Sequence, residues 1–312
     1  YAHGSLYANA NNTKGLYRLR DTNGDGTLDE KKLLHSSPGS VGHGRNALAL
    51  GPEGDIYSIH GDAVDLPGAI VDRTSPLRQQ GLPSRPREGH VLRISPDGSR
   101  KELFCGGMRN PFGIAFNTEG EAFTYDADAE FDMGSPWYRP TRVMHLSSGA
   151  DFGWRAVTGS WPPYFPDHPD NTQPALDIGK GSPTGVRFGT GSHFPPEYSK
   201  ALYILDWAYG RILAVHLIPR GSSYIGAAEV FLRGQPLNLT DLAFGPDGAM
   251  YFTTGGRKTQ SALYRVSYTG PKTQARARTL QEKEREALAG EHRKRRRDAE
   301  ASHGTGKVYD GP

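Results

Sequence analysis

CGGMRNPFGIAFNTEGEAFTYDADAEFDMGSP (residues 105–136) and, after a short gap, VMHLSSGADFGW (143–154) form the stretch around which the chain is organised. FGIAF (112–116) alternates apolar and small residues as a strand does. Thr118-Glu119-Gly120 supplies a turn, and EAFTY (121–125) reads as a second strand. The exit of that second strand is acidic, with Asp126, Asp128, Glu130 and Asp132 at every second position. Alternate residues of an extended segment point the same way, so the spacing predicts four carboxyl groups on one side. Carboxylates gathered like this repel unless a cation neutralises them, and oxygen-only ligation suits a hard ion such as Ca²⁺. A solvated acidic loop is the other reading of the same spacing.

The strand–turn–strand pattern recurs. NALALGPEGDIYSI (46–59), PFGIAFNTEGEAFTY (111–125), PTGVRFGTGSHFPPEYSKALYIL (183–205) and LTDLAFGPDGAMYFT (239–253) each pair an apolar strand with a Gly-containing turn and a second strand. A closing strand follows each: HVLRI (90–94), RVMHL (142–146), RILAVHL (211–217) and ALYRV (262–266). GSLYANA (4–10) and GLYRL (15–19) read as second and third strands of a unit without its opening strand. Repeats of this kind signal the blades of a β-propeller, lengthened by loop insertions. Four full blades and part of another are expected here. Insertions lie at 61–88 and 155–182, and the aromatic, Pro-rich TGSWPPYFPDHPDN (158–171) of the second is expected to rim a pocket mouth.

Composition agrees with many short strands. The 312 residues include 40 Gly and 23 Pro, and the mean hydropathy is −0.62. One cysteine, Cys105, excludes an internal disulfide and a Cys-based metal site. No apolar run approaches the roughly 18–20 residues of a membrane span. Residues 271–312 hold eleven Lys and Arg against seven Asp and Glu, whereas residues 1–270 are close to neutral. A near-neutral body with a basic tail is not the charge distribution of a nucleic-acid-binding domain. The tail is rich in Ala, Glu, Lys, Arg and Leu over 275–301 and predicts a helix with little apolar face, a solvated helix or linker. Its RKRRR run (293–297) reads as a solvated charge run, with an anionic partner as the alternative. Phosphate-binding glycine loops, a nucleophile elbow and a haem-attachment motif are absent.

A second candidate calcium loop is DTNGDGTLDE (21–30). Asp21, Asn23 and Asp25 take positions 1, 3 and 5 of an EF-hand-type loop, Gly26 position 6 and Asp29 position 9. Lys32 stands at position 12, where the bidentate Glu would be, and Glu30 is the nearest substitute. A plain Asx-rich turn is the alternative.

MRNPFGIAF (108–116), the acidic exit and DFGW (151–154) resemble the soluble glucose/sorbosone dehydrogenase family, most closely its divergent members found within larger secreted bacterial proteins. The resemblance implies an all-β fold, a six-bladed β-propeller of which about four to five blades lie in residues 1–270. A short basic tail, helical or disordered, would occupy 271–312. A full ring would need residues upstream of Tyr1, so the chain is expected to be a fragment. The resemblance also implies pyrroloquinoline quinone (PQQ) and Ca²⁺ as cofactors, a carbohydrate substrate, a possible electron-acceptor protein or domain, and a periplasmic or extracellular location.

Residue by residue, the resemblance makes His43 the general base, since a His precedes the Gly-Pro turn of a blade by the same spacing to Gly51. It places Arg109 in the catalytic site and sets Arg109 and Asn110 against the quinone. A guanidinium fork suits planar acceptors and carboxylates. Trp207 and Tyr209, in DWAYG (206–210), are expected at the same mouth with Asp206. His60 and His90 are weaker candidates. Three family cations that neutralise the PQQ carboxylates are missing: Ala208 stands where the Lys would be, and Asn238 and Thr240 where the two Arg would be. Arg187, Arg211 and Arg257 are the residues that could compensate. Two functions follow from this pattern. One is a PQQ-dependent sugar dehydrogenase. The other is a non-catalytic secreted propeller that binds carbohydrate or a protein partner with the same face.

Overall fold

The computed structural model describes residues 1–67, 87–155 and 171–302. Most of both insertions, including the aromatic segment after Arg155, lies outside the described residues. The chain divides into two compact units: residues 1–114, 129–139 and 147–172, and residues 115–128, 140–146 and 173–312.

The first unit holds two antiparallel meanders. Blade 1 has three strands, β1 (Leu6–Ala10), β2 (Gly15–Arg20) and β3 (Glu30–Ser36). Blade 2 has four, β4 (Arg45–Leu50), β5 (Ile56–His60), β6 (Gly89–Ile94) and β7 (Lys101–Met108). Leu16, Leu34, Ile56, Leu92, Ile94 and Leu103 form the core of this unit.

The second unit carries blade 3, β8 (Ile114–Phe116), β9 (Ala122–Asp126), β10 (Thr141–Leu146) and β11 (Leu176–Gly179), whose first strand begins at the boundary between the units. Blade 4 is β12 (Pro183–Phe188), β13 (Leu202–Asp206), β14 (Arg211–Arg220) and β15 (Ser223–Arg233). Blade 5 is β16 (Leu239–Phe244), β17 (Met250–Thr254) and β18 (Ala262–Val266). The described residues are therefore all-β, with five propeller-type blades and a helical tail. Three blades have four strands, against the four full blades expected. The chain leaves blade 5 after three strands and runs through Pro271 to a helix instead of adding a fourth.

Strand burial explains the apolar runs. In β13, Leu202 and Ile204 pack with Phe123, Val143 and Val186, while Tyr203 and Leu205 pack with Leu242, Met250 and Phe252. A period of two sends alternate residues to opposite faces, and a blade lying between two others buries both. The unbroken sequence LYIL is the result.

The quoted stretch closes on itself within the first unit. Gly106 N–H donates to the Ala150 carbonyl at 3.0 Å, Phe152 N–H to Gly106 at 3.0 Å and Trp154 N–H to Gly107 at 2.9 Å, so DFGW lies along the free edge of β7. Gly107 has φ +75°, and a Cβ there would meet Phe152 N at 2.6 Å. The Gly-Gly pair is what permits this approach. Pro111 to Gly113 are not part of β8, which is shorter than the FGIAF strand expected. Phe112 instead accepts from Ala47 N–H at 3.1 Å, and Pro111 accepts from the Asn46 amide at 2.7 Å.

Among the described residues the second unit holds two helices, the short α1 (Pro196–Ser199) and α2 (Leu280–Glu300). Thr279 and Glu282 cap α2 reciprocally. The C-terminal half of the helix carries ion pairs to the rest of the unit. Arg293 pairs with Glu119 at 2.9 Å, Arg296 with Glu121 at 2.5 Å and Arg297 with Glu121 at 2.7 Å. Glu121 also meets His145 Nε2 at 2.9 Å. Three of the five residues of the basic run thus find their anionic partners on the turn before β9, within the same unit. Charge complementarity, not an apolar stripe, docks this helix.

Candidate functional site

The first unit brings several predicted residues together. The β4–β5 hairpin pairs Arg45 with His60, and its open end continues through Gly61 N–H to the Gly44 carbonyl at 2.9 Å. His43 and Asp62 therefore face each other just beyond the ladder. His43 Nδ1 lies 2.7 Å from Asp62 Oδ1. An ionised carboxylate only accepts, so Nδ1 carries the hydrogen and Nε2 presents a lone pair. The imidazole is about one-third exposed, and among the described residues Nε2 has no hydrogen-bond partner. The Asp62 backbone N–H donates to the Arg109 carbonyl at 2.8 Å, and Asp62 Oδ2 accepts from the Trp154 indole N–H at 2.9 Å.

Arg109 is buried. Its Nη2 meets Glu130 Oε2 at 3.1 Å, and its guanidinium stands 5.8 Å from the Trp154 ring centroid. A Cβ added at Gly61 would lie 2.7 Å from Asn110 Oδ1 and 2.8 Å from His43 Cβ, so the missing side chain lets those two residues approach. His43 and Asn110 thus both approach Gly61, and the Arg109 carbonyl is bound by the next residue, Asp62. Asp62, Asn46 and Trp154 join them with no role assigned from sequence. Asp62 lies nineteen residues from His43 in sequence, with no motif to mark it. Trp154 was legible only as the end of DFGW.

His60 and His90 lie on the strands beside this cluster. They are a cross-strand pair of β5 and β6, buried and stacked at 4.9 Å. Burial, with His90 beside it, holds the His60 imidazole well below its usual value.

In the second unit, Asp206 is buried and accepts from Ser182 N–H at 2.9 Å and from Arg211 Nε at 2.9 Å. The Trp207 indole donates to the Gly255 carbonyl at 2.7 Å, and Arg257 lies 5.3 Å from its ring. Tyr209 is half-exposed with Arg211 at 5.2 Å. Asn238 donates to the Trp207 carbonyl, Thr240 bonds Thr253, and Arg187 is exposed on β12.

Neither calcium expectation finds a donor set. The alternation of carboxyl groups ends at Asp126, the last residue of β9. Glu130–Asp132 form a 3₁₀ turn with Asp132 N–H on the Ala129 carbonyl at 2.8 Å, so the segment is not extended. Arginines meet two of these charges, Arg142 standing 4.0 Å from Asp126 and Arg109 pairing with Glu130. In the other loop, Asp21 accepts from Gly24 and Gly26 N–H, Asp25 from Thr27 N–H, and Asp29 from the Thr22 N–H and hydroxyl. These bonds hold all three carboxyls below the usual range. Asn23 bridges to Asp25. The carboxylates serve the loop's own backbone, as in an Asx-rich turn. Among the described residues, no group of three or more His, Cys, Asp or Glu is placed to hold a metal ion. The donor sets do not fit Ca²⁺. No helix among those residues is long and apolar enough to cross a membrane.

Residues 5–146 match a family described as Domain of unknown function (DUF7133). No curated protein matches the chain. Solved structures similar to it include a protein of Thermus thermophilus described as an oxidoreductase (glucose dehydrogenase), 22% identical over 84% of this chain and 78% of that one, with TM-score 0.59. The soluble aldose sugar dehydrogenase of Escherichia coli in its apo form is 17% identical over 84% and 77%, TM-score 0.58. The PQQ-bound aldose sugar dehydrogenase of Streptomyces coelicolor is 14% identical over 80% and 71%, TM-score 0.55. The chain has the β-propeller fold of soluble glucose and aldose sugar dehydrogenases.

Proposed function

We propose that this protein is a sugar dehydrogenase of that soluble type, with His43 as the base that takes the proton of a carbohydrate hydroxyl. One observation carries the reading: Asp62 holds Nδ1 of His43 at 2.7 Å, so the partly exposed Nε2 keeps its lone pair for a substrate. The hydroxyl O–H bond breaks, an N–H bond forms at Nε2, and Asp62 stabilises the resulting imidazolium. General-base assistance of this kind contributes about 10²–10⁴-fold.

PQQ is the cofactor this reading takes from the resemblance. Arg109 and Asn110 supply the planar donors that would hold the quinone edge, and the quinone when bound supplies the two-electron hydride acceptor. Its three carboxylates find less. Arg109 is already paired with Glu130, and Ala208, Asn238 and Thr240 carry no charge at the positions where the resemblance puts the family's cations. An uncompensated carboxylate costs several kcal/mol when buried, so affinity for PQQ is expected to be weak. The same pairings favour the second reading, a carbohydrate-binding module without redox chemistry.

A titration of the complete protein with PQQ, followed by dye-linked oxidation of an aldose panel, separates the two. Saturable quinone binding with turnover that falls at least a hundredfold in His43→Asn supports the first reading. Sugar binding by calorimetry, with no quinone binding and no turnover, establishes the second.

A further inference from the structure

A carboxylate that orients a histidine must itself be oriented, because an aspartate side chain rotates about its terminal bond at little cost. Asp62 is held at three points. His43 takes Oδ1, the Trp154 indole N–H takes Oδ2 at 2.9 Å, and the Asp62 backbone N–H is bound to Arg109. Of these, only the indole fixes the plane of the carboxylate independently of the histidine. Trp154 is in turn immobilised. It is 1% exposed, its N–H is bound to Gly107, and its carbonyl accepts from Arg155 Nη1 at 2.6 Å. Arg155 is fully buried between Glu88, at 2.7 Å, and Asp151. A buried guanidinium with two carboxylates and a carbonyl is a costly arrangement for packing alone. Here it lies one residue from the indole and anchors the peptide from which the indole projects.

The structure assigns Trp154 as the positioning residue of the His43–Asp62 pair, with the Glu88–Arg155–Asp151 ion cluster holding it in register. Its catalytic consequence rests on the general-base reading above; its structural consequence does not. Without the indole N–H, Asp62 turns, Nδ1–H of His43 loses its fixed acceptor, and the imidazole populates both neutral tautomers.

The test is ¹⁵N NMR of the full chain above neutral pH, with His43→Asn identifying the His43 signals. The wild type should show a single tautomer protonated at Nδ1. Trp154→Phe should shift the Nδ1 and Nε2 resonances toward each other as the tautomers mix. Replacing Trp154 with β-(3-benzothienyl)alanine keeps the bicyclic shape and removes only the N–H donor, so it decides the matter if the Phe variant folds poorly. In a protein that oxidises sugars, both variants should lower kcat about tenfold or more with KM nearly unchanged. Unchanged tautomer signals in the benzothienyl variant overturn the assignment, whatever the activity. Mixed tautomers in a protein without turnover leave the assignment standing and remove the base reading instead.

Discussion

Asp62 uses both oxygens, one on His43 and one on Trp154, and neither contact is between sequence neighbours. Asp62→Asn replaces one accepting oxygen with an NH₂ donor, so it can no longer accept from both N–H groups and lacks the charge that stabilises an imidazolium. We expect sugar oxidation to fall about 10²–10⁴-fold in a dye-linked assay, with little change in melting temperature. Gly61→Ala should behave differently. Its Cβ would press on Asn110 and on His43, which have no room to withdraw without breaking the hairpin end. A loss of about 1–3 kcal/mol in chemical denaturation, together with loss of activity, is the expected outcome. His43 was legible only through the family resemblance, in which a His keeps the same spacing to Gly51. Its carboxylate partner was not, because an Asp after a strand carries no signature of what it will face.

The helix α2 shows how a charge run misleads when read alone. Arg293, Arg296 and Arg297 lie on one side of the helix and converge on Glu119 and Glu121. Burial pushes the Glu121 carboxyl up, but His145 and Arg296 outweigh it and bring it down to about 2. Glu121→Gln leaves Arg296, which is largely buried, with Glu300 at 3.2 Å as its remaining counter-charge. A cost of about 2–3 kcal/mol is expected, tempered by the half-exposed Arg297. Amide hydrogen exchange over residues 280–300 should rise in that variant while the strands of blade 4 keep their protection. Equal protection of the helix in the variant and the wild type would show that the ion pairs do not dock it. The acidic exit at 126–132 misleads in the opposite way: its period of two is real in sequence, but a 3₁₀ turn replaces the extended geometry that would have aligned the carboxyls.

At the scale of the whole molecule, buried histidines couple stability to pH. Burial, with Lys101 adding to it, lowers His35 to about 4, and burial, with the stacked His90 beside it, lowers His60 as well. Their folded-state values lie below the unfolded value near 6.5, so their contribution is complete above pH 6.5 and is lost as pH falls through the folded values. Stability should therefore decline between pH 6.5 and 4, by at most about 1.4 kcal/mol per pH unit for each histidine. Denaturation midpoints measured across that window check the sign, and His35→Phe should flatten the profile. A stability that is constant or rises toward pH 4 would contradict the burial of these rings.

The sequence by itself determined the blades. Alternation, Gly-containing turns and closing strands are features of consecutive segments, satisfied by neighbouring strands. They placed β4 to β6, β8 to β10, β12 to β14 and β16 to β18 close to where the structure has them, but not the outer strands β7, β11 and β15, and the RN pair expected at a strand entrance lies between β7 and β8. Only the tertiary structure decided which charge neutralises which. Asp62 meets Trp154 across 92 residues, and Glu121 meets Arg296 across 175. It also set Asp126 and Glu130 beside arginines and turned Asp21, Asp25 and Asp29 onto N–H groups of their own loop. The physical reason is that strand pairing follows from side-chain period and turn geometry, which the chain carries locally. The partner of a buried charge follows from proximity in a low-dielectric interior, which exists only once distant segments have packed.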